Sequence, residues 1–175
     1  MFILSEDDLL ELFHRWQTPF LDTFFRLATW LGSLYLLAPL SLLVAWLVWR
    51  KSGNRRRTLM LPLALGGATI ASFALKLSFQ RLRPTHFDAL VALPAGFSMP
   101  SSHAAQAMAF ALAAVFLLPP GGRLMGAALL GLLAFVVGMS RLYLQVHWPS
   151  DVLAGLILGG VCATVCACLM LPRRD

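Results

Sequence analysis

The sequence predicts an all-α fold: a polytopic membrane helical bundle of about five transmembrane helices, preceded by amphipathic interfacial helices. Three observations carry this. Of 175 residues, 59% are hydrophobic and only 13% charged, against roughly 25% charged in a soluble domain. Uncharged runs occupy 27–49, 58–75, 101–119, 124–139 and 152–171, close to the roughly 20 residues that cross a bilayer. The positive charges are knotted rather than spread. Arg50, Lys51, Arg55, Arg56 and Arg57 lie between two runs, and Arg173 and Arg174 follow the last one. This is the pattern of cytoplasmic anchors, so the net charge of +6 does not point to nucleic acid. The length suits one domain, with 1–32 as interfacial helices and 33–175 as the transmembrane core.

Ser5-Glu6-Asp7-Asp8 has the form of a capping box. Leu9, Leu12, Phe13 and Trp16 follow at helical spacing, with Glu6, Asp7, Glu11, His14 and Arg15 opposite. This stretch is too short and too charged to span, which suits an interfacial helix, and its acidic start is unlike a cleavable leader. Thr18-Pro19 reads as a cap followed by proline at the first helical position. The next amphipathic turn runs through Leu21, Phe24, Phe25 and Ala28, and Gly32-Ser33 marks the bend into the membrane. His14 reads as a surface residue.

The first uncharged run stops at the Arg50–Arg57 knot. The second contains Gly66 and Gly67, which would permit close helix contact, and ends at Lys76. A loop with Pro84, Pro94 and Gly96 leads to Pro100-Ser101-Ser102-His103 and the third run. Pro119-Pro120-Gly121-Gly122-Arg123 is a tight turn, and the fourth run is slightly short. The fifth carries Gly155 and Gly159 in a small-xxx-small packing pattern. Cys162, Cys166 and Cys168 lie in it with no zinc or disulfide spacing, and read as packing residues.

With the Arg50–Arg57 knot in the cytoplasm, Arg123, Arg173 and Arg174 fall inside as well. Lys76, Arg83, His103, Arg141, His147 and Asp151 then all emerge on the outer face. This agreement is the strongest argument for one site. His147 and Asp151, four apart, share a helical face, and the carboxylate would fix the imidazole tautomer and free its other nitrogen. Arg141 offers a planar fork of donors for phosphate. Lys76 and Arg83, seven apart, would point the same way if their helix continues. Arg81 reads as a snorkelling anchor, and His86 and Asp88 as solvated.

Ser101 is placed to cap the third helix, whose first N–H groups would face an anion, and His103 sits in that turn. A nucleophilic histidine and a proton-donating one make a complete pair for phosphoryl transfer, with cations and helix amides stabilising the equatorial oxygens. Lys76, Arg83 and Arg141 would repel a divalent cation, so the site reads as needing no metal and no cofactor.

Lys76, six residues, then Arg83-Pro84 resembles the first motif of the type 2 phosphatidic acid phosphatase family. Pro100-Ser101-Ser102-His103 resembles the second. Ser140-Arg141, five residues, His147, three residues and Asp151 resembles the third. Ser102 departs from the glycine more usual there, and the N-terminal part is short, which suits five spans where many relatives have six. The resemblance implies that His147 forms a phosphohistidine, Asp151 orients it, and His103 protonates the leaving oxygen and then activates water. Lys76, Arg83, Ser101, Ser102 and Arg141 would hold the phosphate, without a metal.

The function expected is dephosphorylation of a lipid phosphate at the extracytoplasmic face of a bacterial inner membrane, with the C-terminus cytoplasmic. Phosphatidylglycerol phosphate, phosphatidic acid, polyprenyl diphosphate and lipid A phosphates all stay open as substrates. The rivals are a lipid-to-lipid phosphotransferase using the same residues and a non-catalytic membrane protein that binds anionic headgroups. A soluble haloperoxidase with a similar anion pocket is at odds with five apolar runs. The partners implied are the lipid substrate and the bilayer; oligomeric state is left open.

Overall fold

A computed structural model describes residues 5–93 and 95–171. Pro94, Arg173 and Arg174, which entered the sequence reading, lie outside the described residues. Every regular element among the described residues is helical.

The N-terminal helices begin as their caps require. In α1 (Glu6–Arg15) the Ser5 N–H donates to Asp8 Oδ2 at 2.8 Å and the Asp8 N–H donates to Ser5 Oγ at 3.1 Å. In α2 (Pro19–Ala28) Thr18 Oγ1 accepts the Leu21 N–H at 3.3 Å ahead of Pro19. The apolar stripe of α1 differs from the expected one. Leu10 and Phe13 are buried, against Tyr143, Leu144 and Val146, whereas Leu12 and Trp16 are exposed. The helix is rotated toward the protein because it docks on the loop after the fourth span.

A 3-10 turn, Thr29–Gly32, and an extended Ser33 separate α2 from α3 (Leu34–Ser52). The uncharged run from Leu27 is therefore not one helix. Gly32 is held at the bend by a close approach: a Cβ there would lie 3.0 Å from the His103 carbonyl oxygen. Gly53, at φ 61°, closes α3 in the left-handed conformation that costs glycine least. The basic knot divides between two helices, with Arg50 and Lys51 ending α3 and Arg55–Arg57 starting α4 (Arg55–Phe79). Cations oppose the dipole at a helix start. Asn54 Oδ1 caps α4 by accepting the Arg57 N–H at 3.2 Å, and the Arg57 guanidinium reaches the Leu117 carbonyl at 3.1 Å, at the end of the next helix.

Helix α5 (Ser102–Leu117) is the centre of the bundle, packed by α3, α4, α6 (Arg123–Tyr143) and α7 (Pro149–Met170). Helices α3, α4, α6 and α7 are long and apolar enough to cross a membrane, and α5, with 16 residues, is shorter. At 1.5 Å per residue it is roughly 24 Å long, less than a hydrocarbon core of about 30 Å. Its neighbours cover it, so its length need not match the bilayer.

Alanines 104, 105, 107, 109, 111 and 113 are buried along α5, and Gly155 and Gly159 of α7 lie against this helix. A Cβ on Gly159 would meet Ala109 N at 2.9 Å, and one on Gly155 would meet the Ala104 Cβ at 3.0 Å. In lipid, where apolar burial between helices gains little, such close contact is what holds helices together. Gly66 and Gly67 do not do this; a Cβ at either has nothing within 4 Å. Cys166 packs beside Ala163 and Ala167, while Cys168 is exposed, and all three cysteines are free.

Overpacking at a helix crossing costs about 1–3 kcal/mol. Gly159→Ala should therefore lower the thermal midpoint in detergent clearly, whereas Gly67→Ala should leave it level or raise it slightly. Equal effects would contradict this packing.

Candidate active site

The alternation of the helices collects charge at the two ends of the bundle. Arg57 and Arg123 donate to carbonyls at the C-terminal end of α5, the latter to Leu118 at 3.1 Å. At the opposite end, Lys76, Arg83, Ser102, His103, Arg141 and His147 line one cavity of about 130 Å³. That is well below the roughly 300–1,000 Å³ that encloses a whole drug-sized ligand, so it suits a small anionic group with the remainder outside. A larger cavity of about 1060 Å³ opens at the other end, lined by Val48, Lys51, Leu117 and Leu171 among others, and holds none of the predicted site residues.

Three cations and no carboxylate line the small cavity. Lys76 Nζ donates to the carbonyls of Phe97 and Ser98 at 2.7 and 3.1 Å, which leaves the third ammonium proton uncommitted. Arg83 does not reach the cavity along a continued helix. Helix α4 ends at Phe79, Gln80 turns left-handed at φ 46°, and an irregular segment carries Arg83 back. Its guanidinium is held by Val146 O at 2.8 Å and by Phe97 O and Gly96 O at 3.3 Å. Arg141, on α6, is 2% exposed and donates through Nη1 to Thr29 Oγ1. Its Nε has no protein partner, and an unpaired buried donor is costly unless something fills it.

His147 stands in the short connection between α6 and α7. Its Nδ1 lies 3.3 Å from Asp151 Oδ2, and Arg83 Nη1 lies 3.3 Å from its Nε2. A donor at Nε2 and an acceptor at Nδ1 assign the neutral Nδ1–H tautomer from the network, so the Nε2 lone pair faces the cations. Burial pushes the imidazole down to about 3. The Asp151 hydrogen bond opposes that shift, and Arg141, Arg83 and Lys76 add to it. Asp151 is fully buried behind His147 rather than in the cavity wall, and also accepts the Trp148 N–H at 2.9 Å.

His103 and Ser102 line the cavity from the first turn of α5. The Ala105 N–H makes the first bond back to Ser101 O at 3.0 Å, so the Ser102 and His103 amides precede the helical ladder and are open to an anion. Ser101 departs from its expected place. It occupies the N-cap position, but its hydroxyl caps nothing and has no partner, and its N–H donates to Asp151 O at 2.9 Å. It is buried beneath the cavity and does not line it, because α7 has taken its amide.

Arg81 does not snorkel. Its guanidinium joins Glu6, Ser150 Oγ and Asp151 Oδ1, the last at 3.0 Å. The pairing of Glu6 with Arg81 has no local sequence signal, since acidic residues in a first helical turn are already favoured by the helix dipole; the one hint was that Arg81 lies between Lys76 and Arg83. His86 and Asp88 are exposed as expected, with His86 Nδ1 3.4 Å from Asp7 Oδ1. Among the described residues no three His, Cys, Asp or Glu side chains gather as metal ligands do.

The PAP2 superfamily sequence model matches residues 57–175. A putative undecaprenyl-diphosphatase, YbjG of Escherichia coli (strain K12), is 35% identical over 130 residues, covering 73% of this chain. The match spans 63% of that relative's own length. The crystal structure of a transmembrane PAP2-type phosphatidylglycerolphosphate phosphatase from Bacillus subtilis superposes with TM-score 0.86 at 26% identity, covering 97% of this chain and 87% of that one. LpxE of Aquifex aeolicus superposes with TM-score 0.75 at 31% identity, covering 94% and 95%.

Native His147 refuses a proton that an unfolded histidine takes below about pH 6.5, so stability rises with pH in that window and is lost on acidification. Between pH 7.5 and 5.0 this should remove on the order of 2 kcal/mol, read as a falling thermal midpoint. His147→Gln should flatten that part of the dependence; equal slopes would contradict a neutral buried ring.

Proposed function

This chain belongs to the PAP2 superfamily, and from that premise we propose that it removes phosphate from a lipid phosphate or diphosphate at the extracytoplasmic membrane surface. One observation carries the reading. The Nε2 of a carboxylate-backed histidine faces a cavity lined by three cations and a second histidine. A site that only bound headgroups would need the cations but not the dyad.

In the proposed reaction, His147 Nε2 attacks phosphorus in line with the leaving oxygen. Asp151 holds the Nδ1 proton and stabilises the charge that develops on the ring. His103 protonates the leaving lipid oxygen, then takes a proton from the water that cleaves the phosphohistidine. Lys76, Arg83, Arg141 and the Ser102 and His103 amides stabilise the equatorial oxygens. Arg141 lines the cavity, which supports this role, and Ser101 supports the site through its N–H bond to the Asp151 carbonyl. Three lining cations fit a mechanism without a metal, since they supply the positive charge a metal would bring.

The basic end of the bundle, with Arg50, Lys51, Arg55, Arg56, Arg57 and Arg123, supports a cytoplasmic placement under the positive-inside rule. The catalytic end then faces the periplasm of a bacterial inner membrane and the C-terminus lies inside. The described part of the interfacial segment 1–32 rests against the described part of the core 33–175. The small cavity supports a substrate whose phosphate enters while its apolar part stays in the bilayer. Polyprenyl diphosphate and phosphatidylglycerol phosphate head the candidates, following the activities named for the relatives.

Purified wild-type chain in detergent with EDTA should release phosphate from at least one of these lipids, and His147→Ala should release none. Orthovanadate should inhibit as a mimic of pentacoordinate phosphorus. Loss of activity in EDTA, or full activity in His147→Ala, would overturn the mechanism.

A further inference from the structure

The N-terminal helix α1 is joined to the site by a run of charged contacts. Glu6 Oε1 accepts the Ser150 N–H at 2.9 Å, at the start of α7, and Glu6 Oε2 accepts from Arg81 Nη2. Arg81 Nη1 donates to Asp151 Oδ1 at 3.0 Å, and Asp151 Oδ2 faces His147 Nδ1 at 3.3 Å. Trp148 walls the contact, with the Arg81 guanidinium carbon 5.2 Å from its ring centroid and its Nε1 donating to Leu82 O at 2.9 Å. On its other side α1 is fixed by Leu10, whose carbonyl accepts from Gln145 Nε2 at 2.9 Å. The helix thus grips both the segment before His147 and the turn after it.

We propose that Glu6 and Arg81 are positioning residues of the site, which make the seating of the amphipathic helix α1 a condition for His147 to be oriented for attack. The inference rests on the reading of His147 as nucleophile. A carboxylate has two oxygens to place, and a buried one left half-paired is costly. Trp148 and Arg81 fix Asp151 so that Oδ2 meets the imidazole. Arg81 also offsets part of the carboxylate charge that would draw a proton onto the ring, and Glu6 holds Arg81 in place. The other groups facing the ring are Arg141 of α6, Lys76 of α4, His103 of α5 and Arg83 of the intervening loop. None of these replaces Arg81, because all lie on the cavity side of His147 and Arg81 on the Asp151 side.

This coupling gives α1 a task beyond lying at the interface. Glu6 has its carboxylate at the first turn of a helix whose outward face carries exposed Leu12 and Trp16.

The test is ¹⁵N-histidine NMR of the full chain in detergent, with His147 assigned by its loss in His147→Ala, alongside steady-state kinetics on the accepted lipid phosphate. Arg81→Met should raise the His147 titration midpoint by about one pH unit, and Arg81→Lys, which keeps the charge, should restore most of it. Arg81→Met and Glu6→Ala should each lower kcat about 10- to 100-fold with KM within about twofold, measured below the melting transition of each variant and normalised to its folded fraction. An unchanged His147 titration in Arg81→Met, or a loss of kcat that only tracks the folded fraction, would overturn the proposal. The NMR arm does not need turnover. A wild type that titrates as expected yet releases no phosphate would sink the reaction and leave the network standing.

Discussion

A fully buried carboxylate sits where four parts of the chain meet, and much of the structure follows from having to satisfy it. Asp151 accepts the Trp148 N–H, which sets the first turn of α7, and meets Arg81 from the irregular segment after α4. Its own backbone carbonyl accepts the Ser101 N–H, which ties the start of α5 to the start of α7. Breaking a buried ion pair by removing one member costs about 3–5 kcal/mol, so these partners are held firmly. His147 is the remaining partner, and it inherits the order that the others impose.

The cavity in front of His147 answers a different constraint. Three cations cannot share a small space at a membrane surface unless something satisfies their donors. Backbone carbonyls of Phe97, Ser98, Gly96 and Val146 do part of this for Lys76 and Arg83. Arg141 is left with an unpaired Nε. The irregular segment between α4 and α5 satisfies its Gly96, Phe97 and Ser98 carbonyls with these cations, as non-helical backbone in a membrane protein must do internally. The same partial satisfaction suits the cavity to the phosphate oxygens proposed for it, and the low basicity of the buried imidazole keeps Nε2 unprotonated, as an acceptor from Arg83, beside them. The bundle beneath, with α5 clasped through alanine and glycine contacts, holds these groups at fixed separations.

Much of this was legible in the sequence where the signal is local or follows from counting crossings. The Ser5 and Thr18 caps, the break at Gly32-Ser33 and the His147–Asp151 spacing are set by neighbours within four residues. The gathering of Lys76, Arg83, His103, Arg141 and His147 on one face follows from alternation alone. What escaped depends on partners far along the chain. Glu6 and Arg81 are 75 residues apart, and no periodicity announces their contact. Gly155 and Gly159 touch α5 while Gly66 and Gly67 touch nothing nearby, a difference set by helix rotation and not by spacing. Lys76 and Arg83 converge although their helix stops between them, and Ser101 holds the N-cap position while its amide serves α7. In each case tertiary contact overrode a sound local rule.

The central claim is that His147 carries the phosphoryl group. The most direct measurement is to quench the wild-type chain in alkali during turnover of a lipid labelled in its phosphate, digest it, and map the label by mass spectrometry. The account predicts a labelled, alkali-stable, acid-labile phosphohistidine at His147 that forms and decays at the rate of phosphate release. Phosphate release with no label on His147 at any time would contradict it, and would leave direct attack by water as the route.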